Sequence, residues 1–177
     1  MFIRFLRENV YAAGALLLIR LYLGWEWMTA GWGKITGGFE AEGFLQGAIG
    51  KAAGDHPAVQ GWWASFLEHF ALPNVGLFNF LVPWGEFLVG IALLAGLFTT
   101  FAALMAAVMN FAFLFSGTVS TNAQMVLLAM FILVAGANAG KFGLDYYVLP
   151  FLRTKVKALF HKEKGKGEHD AKKALAH

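Results

Sequence analysis

Residues 16–34, LLLIRLYLGWEWMTAGWGK, constrain the fold more than any other part of the sequence. This segment is apolar enough to lie within a membrane, yet it contains Arg20 and Glu26. A charged side chain at the depth of a bilayer is costly and usually faces a polar partner or a functional site. The fold must therefore supply partners for Arg20 and Glu26 from later parts of the chain.

The composition indicates an integral membrane protein. Hydrophobic residues make up 58% of the 177 residues and charged residues only 14%, whereas a soluble domain averages about 25% charged residues. The chain has no cysteine, which excludes disulfides, thiolate catalysis, Fe–S clusters and zinc–thiolate sites. The first apolar segment is too long for the core of a signal peptide, so we expect no cleavable signal.

Four apolar segments predict an all-α integral membrane protein, an antiparallel bundle of four transmembrane helices within residues 1–152. About 20 apolar residues cross the hydrocarbon core of a bilayer. Pro83, inside the second segment, predicts a kink or a local polar opening. The predicted spans are residues 10–35, 75–98, 101–116 and 123–147.

The two remaining segments predict the orientation of the bundle. Residues 36–74 contain four acidic residues, one lysine and the Trp62–Trp63 pair, which is typical of a helical excursion at the membrane interface. The tail, residues 153–177, is basic and its end is expected to be disordered. Its charge favours a topology signal, with lipid or partner binding as the alternative. The positive-inside rule then predicts two cytoplasmic termini in a prokaryotic plasma membrane.

Helical geometry separates Arg20 from Glu26. Six residues correspond to about 240° of rotation and about 9 Å of rise, so each side chain must face another helix. Glu86 lies near the middle of the second span, as Arg20 does in the first. This match in depth predicts an Arg20–Glu86 ion pair, and loss of one partner would cost about 3–5 kcal/mol. A structural anchor is the simpler interpretation of this pair, and catalysis by Glu86 is the alternative.

The other polar residues of the spans are interpreted in the same way. Lys141 and Asp145 are expected to form an ion pair at the cytoplasmic end of the fourth span, where orienting the helix is the simplest role. Lys34 is expected to extend to the outer interface. Glu26 has no cation at its own depth, so we expect it to hold a proton or to accept hydrogen bonds. Glu26 and Glu86 are therefore the candidate catalytic residues.

Several classes of site are excluded or have little support. None of the five histidines lies in a predicted span, which excludes a haem held by two histidines within the bundle. His56 and His69 alone are too few to predict a metal site. The sequence contains no phosphate loop, dinucleotide fingerprint or hydrolase triad, and it predicts no nucleic-acid partner.

Three motifs resemble the DoxX/DoxD family of small membrane proteins. RLYLGWEWMTAGWGK is similar to the family's first helix, and VPWGEFLVGIALLAGLFTTFAALMAAVMN resembles its second helix and the following turn. GANAGKFGLD is similar to the closing signature of the family. The resemblance extends over residues 16–145, and the long excursion is closer to the DoxD type than to short DoxX members.

The resemblance implies a membrane subunit tied to redox chemistry. DoxD-type proteins are linked to thiosulfate:quinone oxidoreduction together with a second subunit, other members accompany soluble redox proteins, and many members have no defined activity. The intramembrane Arg, Glu, Trp and Asn residues fit a quinone headgroup. In this hypothesis Glu26 and Glu86 handle protons and Arg20 is an electrostatic anchor. The chain offers no thiol, haem ligand or flavin motif, so electrons would arrive from a partner subunit or directly from a small reductant. The expected quinone-binding residues are Trp27, Trp84, Asn79 and Asn110.

The alternative hypothesis is a non-catalytic interaction or assembly subunit of a larger respiratory or other membrane complex. The polar pairs would then only fix the bundle, and Asn110 would bridge two helices. The expected partners are the lipid bilayer and either a second protein subunit or further copies of the chain. Transport of a small solute is less well supported, because the chain is short and shows no inverted repeat.

Overall fold

The computed structural model of the protein describes residues 1–156 and confirms the predicted all-α class for them. A π-helical turn, Leu67–Ala71, extends α4, and a 3₁₀ turn, Gly136–Gly140, follows α7. The predicted disordered end of the tail, residues 161–177, lies outside the described residues. The helices are α1 Phe2–Glu8, α2 Val10–Gly37, α3 Ala41–Gly50, α4 Gly61–Phe66, α5 Val75–Ala95, α6 Thr99–Phe115, α7 Asn122–Ala135 and α8, which covers residues 145–156.

Helices α2 and α5 run antiparallel and share the most extensive interface of the fold. Glycines allow their backbones to approach closely. A Cβ added at Gly24 would lie 2.8 Å from the backbone nitrogen of Leu94, and one at Gly31 would lie 2.8 Å from the carbonyl oxygen of Pro83. From the other side, a Cβ at Gly90 would collide with the backbone of Met28. These contacts fix the register of the two helices.

Two helices among residues 1–156 are long and apolar enough to cross a membrane: α5, and α7 together with its 3₁₀ extension. Helix α2 has 28 residues, but Arg20, Glu26 and Lys34 make it less apolar. Helix α6 is a shorter apolar helix of 17 residues. Small residues of α6 are buried in the main core, as suits close helix packing: Ala102, Ala103, Ala106 and Ala107.

The fourth predicted span is not one continuous helix. Helix α7 ends at Ala135, because Gly136 adopts a positive φ of 58° that ends a helix readily. After the 3₁₀ turn, the chain returns to the corner between α5 and α6. There the backbone nitrogen of Leu144 donates to Ala95 (3.1 Å) and that of Asp145 donates to Gly96 (2.8 Å). The end of α7 is therefore connected to the α5–α6 turn.

The excursion between α2 and α5 packs onto the bundle. The Asn79 side chain on α5 accepts a hydrogen bond of 2.7 Å from the backbone nitrogen of Ala41 at the start of α3. The Trp63 indole donates to the Ser116 hydroxyl (2.9 Å), which joins α4 to the end of α6. The excursion also has its own apolar cluster, formed by Ala41, Leu45, Ala48, Leu67 and Ala71.

Helix α1 is attached to the opposite end of the bundle. The Asn138 amide donates to the carbonyl oxygens of Leu6 (2.8 Å) and Asn9 (2.9 Å), and Arg7 donates to that of Val134 (2.9 Å). The N-terminus and α8 thus lie near the same end of the bundle, and the excursion lies at the other.

The glycine contacts between α2 and α5 predict different effects for two glycines of α2. Gly31→Ala should lower the free energy of unfolding by about 1–3 kcal/mol, because its Cβ would overlap the backbone of Phe87. In the matched control, Gly33→Ala, the Cβ has no neighbour within 4 Å, so stability should be unchanged or rise by up to about 1 kcal/mol. Unfolding by SDS titration in mixed micelles measures both values, and equal effects would contradict the assigned register.

Candidate functional site

Arg20 is buried, with 2% of its surface exposed, and it fastens the turn after α7. Its guanidinium donates to the carbonyl oxygens of Phe142 (2.7 Å) and Ala139 (3.3 Å). Gly96, with a φ of 64°, and Gly143 leave the space that the guanidinium occupies. Arg20 therefore anchors the α7–α8 connection to α2.

The predicted Arg20–Glu86 ion pair is wrong. Glu86 instead accepts a hydrogen bond of 2.6 Å from Lys34, in a salt bridge between α5 and α2. Arg20 and Lys34 are 14 residues apart, or about 21 Å along the helix. The glycine contacts place Glu86 beside Lys34. The Arg20 side chain is therefore too far from the Glu86 carboxylate to form an ion pair with it.

Lys34 also differs from its prediction, because its side chain extends inward to Glu86 and not to the outer interface. The carboxylate side chain is only 1% exposed, whereas the lysine side chain is 28% exposed. The salt bridge is thus buried on one side and partly open on the other. Lys34 lies two turns after Glu26, a spacing that could have indicated that the two residues share a face.

The predicted Lys141–Asp145 ion pair is wrong as well. Asp145 is buried and accepts hydrogen bonds from the backbone nitrogens of Phe98 (2.6 Å) and Thr99 (2.8 Å), at the start of α6. A carboxylate is favourable there because the first backbone N–H groups of a helix have no partner within it. Lys141 is exposed and forms no salt bridge with Asp145.

A cavity of about 280 Å³ lies between α2, α5, α6 and the start of α7. Its lining includes Glu26 and both partners of the Lys34–Glu86 salt bridge. Trp27 and Asn110 also line it, and Phe39 and Phe44 close it on the side of the excursion. We refer to this space as the polar cavity.

Two buried residues of the polar cavity have polar atoms without a partner. The indole nitrogen of Trp27, and both the amide nitrogen and the carbonyl oxygen of Asn110, form no hydrogen bond within the described part of the chain. Trp27 is 3% exposed and Asn110 is fully buried. A buried polar group without a partner costs about 1–3 kcal/mol, so each calls for an explanation. The interpretation of Asn110 as a bridge between helices has no support in these contacts.

Four predicted site residues meet at the polar cavity: Glu26, Trp27, Glu86 and Asn110. Glu26 is half-buried, and its carboxylate forms no hydrogen bond or salt bridge with any other of residues 1–156. Trp84 and Asn79 do not line this cavity. Trp84 is exposed on the outer face of α5, beside Phe80, and Asn79 holds the start of α3.

The residues that line the polar cavity carry several hydrogen-bonding and charged groups. Trp27 offers a hydrogen-bond donor, and Asn110 offers two donors and an acceptor. The Lys34–Glu86 salt bridge and Glu26 add charged groups to the same lining. In the described part of the chain, no three His, Asp or Glu side chains lie close enough together to hold a metal ion.

The uneven exposure of the Lys34–Glu86 salt bridge predicts uneven effects of removing its partners. Lys34→Met should lower the free energy of unfolding by about 3–5 kcal/mol, because it leaves a buried carboxylate unpaired. Glu86→Leu should cost less, since the lysine is already partly exposed. The double variant should be more stable than Lys34→Met alone.

In the control, Lys141→Met, the free energy of unfolding should change by no more than about 0.5 kcal/mol. SDS titration measures all four, and a larger loss in Glu86→Leu than in Lys34→Met would contradict this account.

Comparisons with known proteins identify the family. The family model for DoxX matches residues 15–119, more than half of the chain. The matched region begins in α2, which carries Arg20 and Lys34, and it includes α5 with Glu86 and α6 with Asn110. Searches of curated proteins and of solved structures returned no match. The predicted resemblance is thereby confirmed, and the chain belongs to the DoxX family of membrane proteins.

Proposed function

We propose that this protein is the quinone-binding membrane subunit of an oxidoreductase system and that the polar cavity holds the quinone ring. The observation that carries the proposal is that the buried residues Trp27 and Asn110 line one cavity and that their polar atoms lack partners among residues 1–156. Hydrogen-bond acceptors on a ligand would pair with the Trp27 indole and the Asn110 amide nitrogen, and a hydroxyl group of the reduced ligand would donate to the Asn110 carbonyl oxygen.

A quinone ring fits the chemistry of the polar cavity. Its two carbonyl oxygens accept hydrogen bonds from the Trp27 indole and the Asn110 amide, and its flat apolar ring packs against aromatic side chains. Reduction of a quinone to a quinol takes up two electrons and two protons. Glu26, the Lys34 ammonium and Glu86 line the same cavity, and they are the proton-carrying groups in this proposal.

The electrons require a second component. The chain contains no cysteine, and no histidine lies in its long apolar helices, so these helices offer no thiolate ligands for an Fe–S cluster and no histidine ligands for a haem. We therefore include in the proposal a redox partner subunit, or direct reduction by thiosulfate or a related small reductant, as the DoxD-type resemblance implies.

The proposal also includes four membrane spans, formed by α2, α5, α6 and α7. Consecutive helices of this set pack against one another, as in an up-and-down bundle. Basic residues lie near the end that carries α1 and α8, and acidic residues lie in the excursion at the other end. By the positive-inside rule, both termini are cytoplasmic and the polar cavity lies in the outer half of the membrane.

A non-catalytic assembly subunit accounts for only part of the structure. It explains Arg20 and Asp145, which fasten turns, and it is consistent with the Lys34–Glu86 salt bridge. It gives no reason to keep a fully buried Asn110 without a hydrogen bond. For this reason the quinone site is the function that the geometry supports best.

Replacing Asn110 should have different effects on the stability of the ligand-free protein and on its affinity for a quinone. Asn110→Leu removes an unpaired buried amide, so the ligand-free protein should be equally stable or gain about 1–3 kcal/mol. The same change should lower quinone affinity about tenfold, since one hydrogen bond to the ring is lost. SDS titration and quenching of tryptophan fluorescence by an added quinone measure the two effects. Loss of stability with unchanged affinity would support the assembly role instead.

A second comparison tests the indole of Trp27. Trp27→Phe keeps an aromatic ring but removes the N–H donor, and it should weaken quinone binding about threefold to tenfold. The matched control is Trp25→Phe on the same helix, since Trp25 is exposed and does not line the cavity. The control should bind quinone as the original protein does. Equal weakening in both variants would contradict the assigned site.

A further inference from the structure

A second cavity lies beside the polar cavity, between the excursion and helices α5 and α6. Its volume is about 270 Å³, close to that of the polar cavity. The lining is apolar except for the Trp63 indole and the Ser116 hydroxyl, and these two groups bond to each other. We refer to this space as the apolar groove. It offers no free polar group to a ligand, so it suits a hydrocarbon chain.

Three phenylalanines separate the polar cavity from the apolar groove and line both: Phe39, Phe44 and Phe113. The rings of Phe44, on α3, and Phe113, on α6, meet edge to face, with their centroids 5.9 Å apart. Because side chains form this partition, we infer that rotation of the rings joins the two cavities. A molecule that occupies both cavities therefore needs only a small local rearrangement.

The apolar groove also reaches the outer surface of the bundle. Leu81 on α5 and Val108 on α6 line the groove, and each is 53% exposed. These residues belong to the apolar surfaces that face lipid in the proposed topology. A hydrocarbon chain longer than the groove would thus continue into the bilayer between α5 and α6.

We propose that the two cavities form one site for an isoprenoid quinone, with the ring in the polar cavity and the tail in the apolar groove. The inference rests on the proposed quinone site and adds the path of the tail. Phe44 and Phe113 lie at the junction of ring and tail, and they select for a ligand that carries a hydrocarbon chain. The excursion, through Phe44 and Trp63, forms one wall of the tail path.

The charges of the polar cavity disfavour a phospholipid as the occupant. Among the described residues that line it, two carboxylates, Glu26 and Glu86, stand against one ammonium, Lys34. The ammonium is already bound to Glu86. A phosphate group would meet a surplus of negative charge, whereas a neutral ring with carbonyl oxygens meets the donors of Trp27 and Asn110.

The test compares two quinones that share one ring, a benzoquinone with a decyl tail and the same ring with a methyl group in its place. Affinities are measured by fluorescence quenching with the full chain in lipid nanodiscs. Ala112→Phe fills the apolar groove from α6. It should weaken binding of the decyl quinone about tenfold and leave binding of the methyl quinone within about twofold.

Two further variants keep the test decisive if Ala112→Phe does not fold. Val108→Trp narrows the groove at its exposed end, and it should weaken binding of the decyl quinone selectively. Leu104→Trp is the matched control, because Leu104 is exposed one turn away on α6 and does not line the groove. Unchanged binding of the decyl quinone in the folded groove variants would overturn the tail path and leave the ring site standing. If neither quinone binds the original protein, the proposed function fails and the tail path with it.

Discussion

The close packing of α2 against α5 determines most of what the structure does with its intramembrane charges. Gly24, Gly31 and Gly90 let the two backbones touch, and their contacts admit one register. In that register Arg20 lies at the end of α5, where it binds the segment that connects α7 to α8. Lys34 lies beside Glu86. The salt bridge then forms part of the wall of the polar cavity.

Of the six residues predicted to be catalytic or quinone-binding, four line one cavity, and Trp84 and Asn79 lie elsewhere. Polar residues within apolar helices are rare and face inward, which accounts for the grouping of Glu26, Glu86 and Asn110. The predicted partners of Arg20 and Asp145 are wrong for two reasons. Position within a predicted span does not fix the depth of Arg20 relative to Glu86, and the stripe that pairs Lys141 with Asp145 requires a continuous helix, whereas α7 ends at Ala135. Backbone carbonyls and N–H groups, which the sequence does not mark, proved to be the partners of Arg20 and Asp145. The spacing of the glycines carried the missing information on register.

Most buried polar residues of the bundle are held by backbone groups, although Arg20 Nε and the Thr99 hydroxyl also have no partner among residues 1–156. Arg20, Asp145 and Asn138 bind backbone groups at turns and helix ends, as structural residues do. Trp27 and Asn110 are equally buried but have unpaired polar atoms at a cavity. Natural cores rarely keep such groups without a reason. In Asn110 both polar atoms of the side chain lack a partner among residues 1–156, and this observation supports the proposal that the polar cavity is a binding site.

Photoaffinity labelling with an azido-substituted quinone tests the central claim most directly. The protein is illuminated in nanodiscs, digested and sequenced by mass spectrometry. We expect the label on residues 26–34 of α2 and on residues 110–125, from α6 to the start of α7, with competition by unlabelled quinone. Label confined to the outer face of α5 around Trp84, or label that unlabelled quinone does not displace, would contradict a quinone site in the polar cavity.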